Sequence, residues 1–275
     1  MATNHPLPIL VTFDGEARSG KGTIVQATKD YLRGVAHKSV MLIDAGQVFR
    51  VLVVAATRAA VNLDSPDAID AFLGNDTNIQ NCMQLVKDVY HMEKPERDSL
   101  LYTNEVGHNS AKVGARPLSQ SFKDKLLKRW LHDAHDEGFQ IVLLDGRALE
   151  EVGAELEREG LCDFRLGLYF ICDSIVGARR TLGLASRPYD ELDSVEKSSV
   201  DELVGQINSR NEADEKRSVQ QLVRPAGVTI SRLPEILPSQ SINLNRPMYL
   251  IDTSSELSKE DMSSPVIALV ARYMN

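Results

Sequence analysis

Ile9-Leu10-Val11-Thr12-Phe13-Asp14, followed by Gly15-Glu16-Ala17-Arg18-Ser19-Gly20-Lys21-Gly22-Thr23, decides how this chain is read. The first five residues are an apolar run of strand length. After the loop, Ile24, Val25, Ala27, Tyr31 and Leu32 recur on one stripe, so a helix is expected from about Gly22 to Arg33. Between strand and helix, Gly15, Gly20 and Lys21 occupy the spacing G-x-x-x-x-G-K of a phosphate-binding loop. Glycines let such a loop curl so that its N–H groups point inward at phosphate oxygens. The helix N-terminus adds partial positive charge, and Lys21 reaches the outer phosphates as a point charge.

Further apolar runs lie at Val40–Ile43, Ile141–Leu144, Leu166–Ile171 and Met248–Ile251. They are apolar at every position, as strands buried on both faces are. Helical patterns separate most of them: Phe122 to Glu137, stopping at Gly138; Ser199 to Val223; and a last helix opened by Ser264-Pro265. Strands alternating with helices indicate an α/β fold with a parallel sheet. Two segments fall outside the alternation. Residues 60–110 are too long for one crossover helix; Val89 to Glu96 reads as a small hairpin, although Met83 to Tyr90 also fits a helix. Arg224 to Pro247 carries four prolines and reads as an extended surface connection.

The 275 residues correspond to about 1.8 domains at roughly 150 residues each. A chain with 43% hydrophobic and 25% charged residues is of ordinary globular composition. With 31 basic against 39 acidic residues the net charge is −8, which argues against a general binder of nucleic acid or of acidic membranes. It leaves room for a local basic pocket. The three cysteines, Cys82, Cys162 and Cys172, are widely spaced and form no Cys-x-x-Cys pair, which suits a reducing compartment. Met1 to Pro8 lacks the basic and apolar regions of a signal peptide, and no apolar run approaches membrane-spanning length. The expectation is a cytoplasmic monomer with small-molecule partners, without nucleic-acid or membrane binding.

Lys21 is followed by Gly22 and only then by Thr23, so the usual metal-ligating hydroxyl is displaced by one residue. This G-K-G-T ending resembles that of nucleoside monophosphate kinases. No Asn-Lys-x-Asp tetrapeptide is present, which disfavours a GTPase. Asp145, ending the third apolar run, is either a Walker-B-like acid or an ordinary strand-end cap. Further segments, in order, resemble the bacterial cytidylate (CMP/dCMP) kinases. They are Phe13-Asp14-Gly15, Asp44-Ala45-Gly46-Gln47-Val48-Phe49-Arg50, Asn104-Glu105-Val106, Asp145-Gly146-Arg147, Arg210-x-x-x-Asp214-x-x-Arg217 and Tyr249-Leu250-Ile251-Asp252-Thr253. An insertion interrupts the match near 228–246.

The resemblance implies a three-layer P-loop NTPase-type fold with a five-stranded parallel sheet. Residues 1–59 and 111–275 would form the core, with a lid near 182–200, and 60–110 a small lobe that binds the nucleoside monophosphate. It places ATP on Gly15, Glu16, Ala17, Arg18, Ser19, Gly20, Lys21, Gly22 and Thr23. Arg50, Arg147 and Arg217 would bind the acceptor's phosphate and Arg210 and Asp214 its sugar, with Asp145 counted in the same set. Mg²⁺ would be held mainly by nucleotide phosphates and water, with no dedicated protein metal site. Lys21, Arg147 and Arg180 are the expected catalytic residues, and Arg179 and Arg187 could close over the transferring group. Positions 210, 214 and 217 also share one helix face by spacing.

The departures concern the base and the turn before Arg50. Ala45 and Phe49 replace the family's serine and tyrosine. The base-reading serine aligns with Ala111, beside Ser110; the arginine falls on Gln120 or Lys123; the aspartate is Ala148. The implied reaction is phosphoryl transfer from ATP to a nucleoside monophosphate of CMP/dCMP type, although other residues stand at the base-reading positions. A kinase for another phosphate ester, or a catalytically degenerate nucleotide-binding module, is the alternative. His132 and His135 lie at metal-sharing spacing on an already polar helix face, and Glu150 to Glu159 read as a solvated helix.

Overall fold

The run Ile9–Phe13 becomes the strand around which the parallel sheet is built. The computed structural model describes residues 5–274, apart from the side chain of Asn104. In chain order the elements are β1 (Ile9–Gly15), α1 (Lys21–Gly34), β2 (Val40–Asp44), α2 (Ala45–Arg58), α3 (Pro66–Leu73), α4 (Asp76–His91), α5 (Lys94–Leu101), α6 (Asn104–Gly114), α7 (Pro117–Asp136), β3 (Ile141–Asp145), α8 (Leu149–Arg158), β4 (Asp163–Ile171), α9 (Ser174–Thr181), α10 (Ser194–Glu215), β5 (Ile230–Arg232), β6 (Gln240–Ser241), β7 (Arg246–Asp252) and α11 (Lys259–Arg272). The chain divides into two compact units. One holds residues up to Ile43, Trp130–Lys216 and the chain from Gln220 on; the other holds Asp44–Arg129 and Arg217–Val219.

The first unit carries the sheet, in the order β2-β3-β1-β4-β7-β5, with β6 added on β7. β1 pairs in parallel with β3 and β4, β4 with β7, and β7 with β5. Alternation sends Val11 and Phe13 to one face, where they join Leu143, Leu166, Leu168, Phe170 and Ile251. α1 and α11 cover that face with Ile24, Val25 and Leu32, and with Met262, Val266, Leu269 and Val270. Phe13 and Phe170 stack with centroids 6.1 Å apart. α8 packs on β1 and β4. There Gly153 lies so close to Phe164 that a Cβ would sit 2.6 Å from its ring. The register of β1 on β4 shifts between Leu10 and Val11. This one-residue slip lets Phe164 meet α8 while Leu166, Leu168 and Phe170 meet α1 and α11.

Three expectations change here. Among the described residues the sheet has seven strands, not five. The extra two, β5 and β6, lie in the Pro-rich segment expected to be a surface connection, and both pair with β7. Pro234 and Pro238 fall between them, where no ladder N–H is needed. The charged helix ends at Glu215 instead of continuing to Val223. Beyond it the chain turns back, Leu222 N–H donating to Asp214 O at 3.0 Å, and Leu222 is buried against Tyr169 and Leu250. The last helix starts at Lys259, capped by Ser258, so Pro265 is interior.

The second unit is helical. α2 packs against α4, α5 and α6. Val51 and Val54 of α2 meet Leu85 and Val89 of α4 and Leu101 of α5 in one buried cluster. Asp44, Ser65, Asn75 and Thr103 accept N–H bonds as the caps of α2, α3, α4 and α6. Residues 60–110 lie inside this unit and form helices, so the hairpin reading of Val89–Glu96 gives way to the helical one. Cys82, Leu85 and Val89 are the buried stripe of α4. Among the described residues no helix is long and apolar enough to cross a membrane.

Asp14, at the end of β1, fixes the turn between β3 and α8. Its carboxylate is buried and accepts N–H bonds from Gly15 at 2.6 Å, Ala148 at 3.0 Å and Leu149 at 2.6 Å. Ala148, with φ 56°, is the N-cap of α8. It has no side-chain oxygen to cap the helix, so Asp14 supplies one from the neighbouring strand. Burial raises the Asp14 pKa above its ordinary 3.8, against the lowering effect of these bonds and of Lys21. Asp14→Ala leaves buried N–H groups unpaired and should cost about 2–3 kcal/mol in urea unfolding. A raised folded-state pKa adds stability that is full below the unfolded value and fades as pH rises through the folded one. The loss should therefore be larger at acid than at alkaline pH.

Candidate functional site

The loop Gly15–Thr23 leaves the sheet where β1 meets β4. Gly15 has φ 130°, and a Cβ there would sit 2.1 Å from the Phe170 carbonyl oxygen. No L side chain satisfies both limits, so glycine is obligatory at this position. Glu16 N–H then donates to Phe170 O at 2.9 Å, and Ala17 N–H to Asn211 Oδ1 of α10 at 2.9 Å. Arg18 and Gly20 both have positive φ, 57° and 78°, which reverses the chain tightly into α1. The loop's carbonyls are held as well. Ser19 Oγ donates to Glu16 O at 3.0 Å, and Thr253 Oγ1 donates to Ser19 O at 2.8 Å. Gly20 is the N-cap of α1 and contributes no side-chain cap, and Thr23 and Ile24 N–H both turn back to Gly20 O.

Lys21 is the first residue of α1. Its ammonium lies 2.6 Å from Asp145 Oδ1 and also donates to Gly146 O. The parallel register that pairs Phe13 with Asp145 puts the two strand ends side by side, and so brings the loop lysine to the acid. Two residues on, Arg147 forms an ion pair with Asp214 of α10, whose side chain is 1% exposed. A carboxylate so buried is tolerable only when paired, and Arg147 supplies its partner. Lys21, Asp145, Arg147, Arg210 and Asp214 thus belong to the first unit; the end of β3 supplies Asp145 and the β3–α8 turn supplies Arg147.

The remaining candidates fall elsewhere. Arg217 is past the end of α10 and belongs to the second unit, so the expected single helix face holds only Arg210 and Asp214. Burial lowers the pKa of Arg217. Arg50, in α2, donates to Leu101 O at 2.9 Å and lies 4.6 Å from the Tyr102 ring centre. Tyr102 hydroxyl donates to Asp44 Oδ2 at 2.9 Å, and burial together with Asp44 raises its pKa. Arg180 donates to Ser255 O at 2.5 Å, on the connection from β7 to α11. Arg179 donates to Glu256 at 2.7 Å, to Ala185 O at 3.0 Å and to Arg187 O, while Arg187 pairs with Glu196. Arg179 and Arg187 thus tie down the segment between α9 and α10, whereas Arg180 ties α9 to the β7–α11 connection. At the base-reading positions, Gln120 is buried and donates to Gly114 O at 2.5 Å, Lys123 is buried beside Asp124, and Ser110 Oγ donates to Gly107 O.

Sequence reasoning missed four contributors. Asp14 and Thr253 lay inside matched motifs without a role of their own, and Asn211 sat unremarked beside Arg210. Arg224 was seen only as the edge of a connection, yet its guanidinium reaches Glu16 Oε1 of the loop at 2.6 Å. Asn211 and Arg224 act across 194 and 208 residues, a distance at which neither periodicity nor spacing gives a signal.

No family model matches the chain. A cytidylate kinase of Azotobacter vinelandii is 22% identical over 93% of this chain and 98% of its own length. One of Aliivibrio salmonicida is 27% identical over 86% of this chain and 91% of its own. One of Aeromonas salmonicida is 34% identical, but the match covers 44% of this chain and spans about half, 48%, of that relative. A solved chain from Chloroflexus aurantiacus covers 98% of this one at 14% identity and a TM-score of 0.39. In sequence, the chain is cytidylate kinase-like.

Proposed function

We propose that the protein is an ATP-dependent kinase of P-loop type that transfers a phosphoryl group to a nucleoside monophosphate. The observation that supports this best is the strand–loop–helix Gly15–Thr23 with the Lys21 ammonium beside Asp145 at the end of the adjacent parallel strand. The likeness to proteins named cytidylate kinase agrees with it. Phosphoryl transfer needs phosphates held in line and their charge neutralised, with little covalent help from the protein.

In this reading, the loop N–H groups and Lys21 hold the donor phosphates. Asp145 holds Lys21 near the loop. Arg147, oriented by Asp214, presents its fork of donors to the acceptor phosphate, and Arg210 and Asp214 serve the sugar. Arg50 and Arg217 carry the acceptor-phosphate roles implied by the family resemblance. Among the described residues no group of three or more His, Cys, Asp or Glu side chains is arranged to hold a metal. Such a donor set would leave a Mg²⁺ to be held mainly by nucleotide phosphates and water, with Asp145 paired to Lys21 nearby. Bound there, the cation neutralises phosphate charge.

Acceptor identity has a second reading. Ala111 and Ala148 offer no side-chain hydrogen bonds to a base, and a site without such partners discriminates weakly. That favours a broad base preference, or another phosphate ester, over strict CMP use.

Lys21→Ala should lower kcat/KM by about a hundredfold or more while the thermal midpoint stays within a few degrees. An active, folded Lys21→Ala protein would remove Lys21 from the donor site. Arg147→Lys, which keeps a cation against buried Asp214, should raise KM for the monophosphate by about tenfold or more through loss of the planar fork. ATP affinity by calorimetry should change little. The reverse pattern would take Arg147 out of the acceptor site.

A further inference from the structure

We propose that Arg224 is a positioning residue for the phosphate donor, cancelling a negative charge that the chain places inside its own phosphate loop. The inference rests on the donor assignment above. Glu16 is the second residue of the loop, and its backbone is fixed by Phe170 O. Its side chain is 11% exposed, so solvent screens it poorly. A carboxylate here opposes the binding of any polyphosphate. Arg224, from the segment after α10, donates to Glu16 Oε1 through Nη2 at 2.6 Å and through Nε at 3.2 Å.

The surroundings make this compensation necessary. Asp14 is one residue from Gly15, and Tyr169 is its register partner on β4. Burial, then the charges of Asp14 and Glu16, raise the Tyr169 pKa, while Arg224 and Arg147 oppose them. Two carboxylates and two guanidiniums therefore act on one point at the root of the loop. Of the two cations, Arg147 is already committed to Asp214. Arg224 is the one that answers Glu16. The Arg224 side chain is 55% exposed, and an ion pair with so open a partner adds little to stability. Its effect falls on the local charge, which the donor would read.

The test is a double-mutant cycle on the full chain, with ATP affinity measured by calorimetry at low and high salt. Arg224→Ala should weaken ATP binding by about five- to tenfold at low salt and by less at high salt, as expected for a like charge near a polyanion. Arg224→Lys should keep most of the affinity, and Glu16→Gln should tighten it. In Glu16→Gln/Arg224→Ala the loss should vanish, because no charge remains to be cancelled. An Arg224→Ala protein that binds like wild type overturns the proposal, as does a double mutant as weak as Arg224→Ala alone. A rescue that fails while wild type binds ATP leaves the donor assignment intact. A wild-type chain that does not bind ATP removes both. If Arg224→Ala melts early, the Arg224→Lys and double-mutant affinities decide the question.

Discussion

One buried carboxylate organises the chemistry-bearing end of the sheet. Asp14 accepts three N–H bonds, from Gly15 at the mouth of the Gly15–Thr23 loop and from Ala148 and Leu149 at the start of α8. The loop and the β3–α8 turn are thereby referred to a single group on the central strand. The end of β3 and the turn after it inherit the position: Asp145 beside Lys21, Gly146 O on the same ammonium, and Arg147 on Asp214. Burying such a carboxylate is unfavourable, and its raised pKa records that. The N–H bonds, the helix N-terminus and Lys21 offset the cost.

A second constraint is close approach of backbones. Gly15 meets the Phe170 carbonyl, and Gly177 would bring a Cβ to 2.9 Å from Arg18 O. These contacts leave the loop little room to adjust. Side chains far away in sequence then complete it: Asn211 on Ala17, Thr253 on Ser19, and Arg224 on Glu16.

The parts of this arrangement that could be read from sequence were those with a local cause. The apolar runs at 9–13, 40–43, 141–144, 166–171 and 248–251 are strands because they are buried on both faces, and the glycine spacing of 15–20 marks the loop. What escaped has non-local causes. β5 and β6 are too short to show a pattern and exist because β7 offers them an edge. α10 stops at Glu215 because Leu222 must return to Tyr169 and Leu250. Pro265 looked like a helix start, but the cap at Ser258 lies further upstream. At the site, residue types in recognisable spacing were legible: Lys21, Asp145, Arg147 and Asp214. Partners that arrive from other elements, such as Asn211 and Arg224, were not. Nor was the engagement of Arg180 with Ser255 O, since a lone arginine carries no sign of which carbonyl it will meet.

An acidic chain of net charge −8 can still serve phosphorylated substrates if its cations are concentrated and its nearby acids are individually answered. Lys21 with Asp145, Arg147 with Asp214 and Arg224 with Glu16 are such answers. The most direct test of the account is transfer itself. ATP labelled on its γ-phosphate is incubated with the protein, Mg²⁺ and, in turn, CMP, dCMP, UMP, AMP, GMP and dTMP, and the products are separated. Label is expected in the β-phosphate of at least one nucleoside diphosphate. ATP bound with no label passed to any of these acceptors would contradict it.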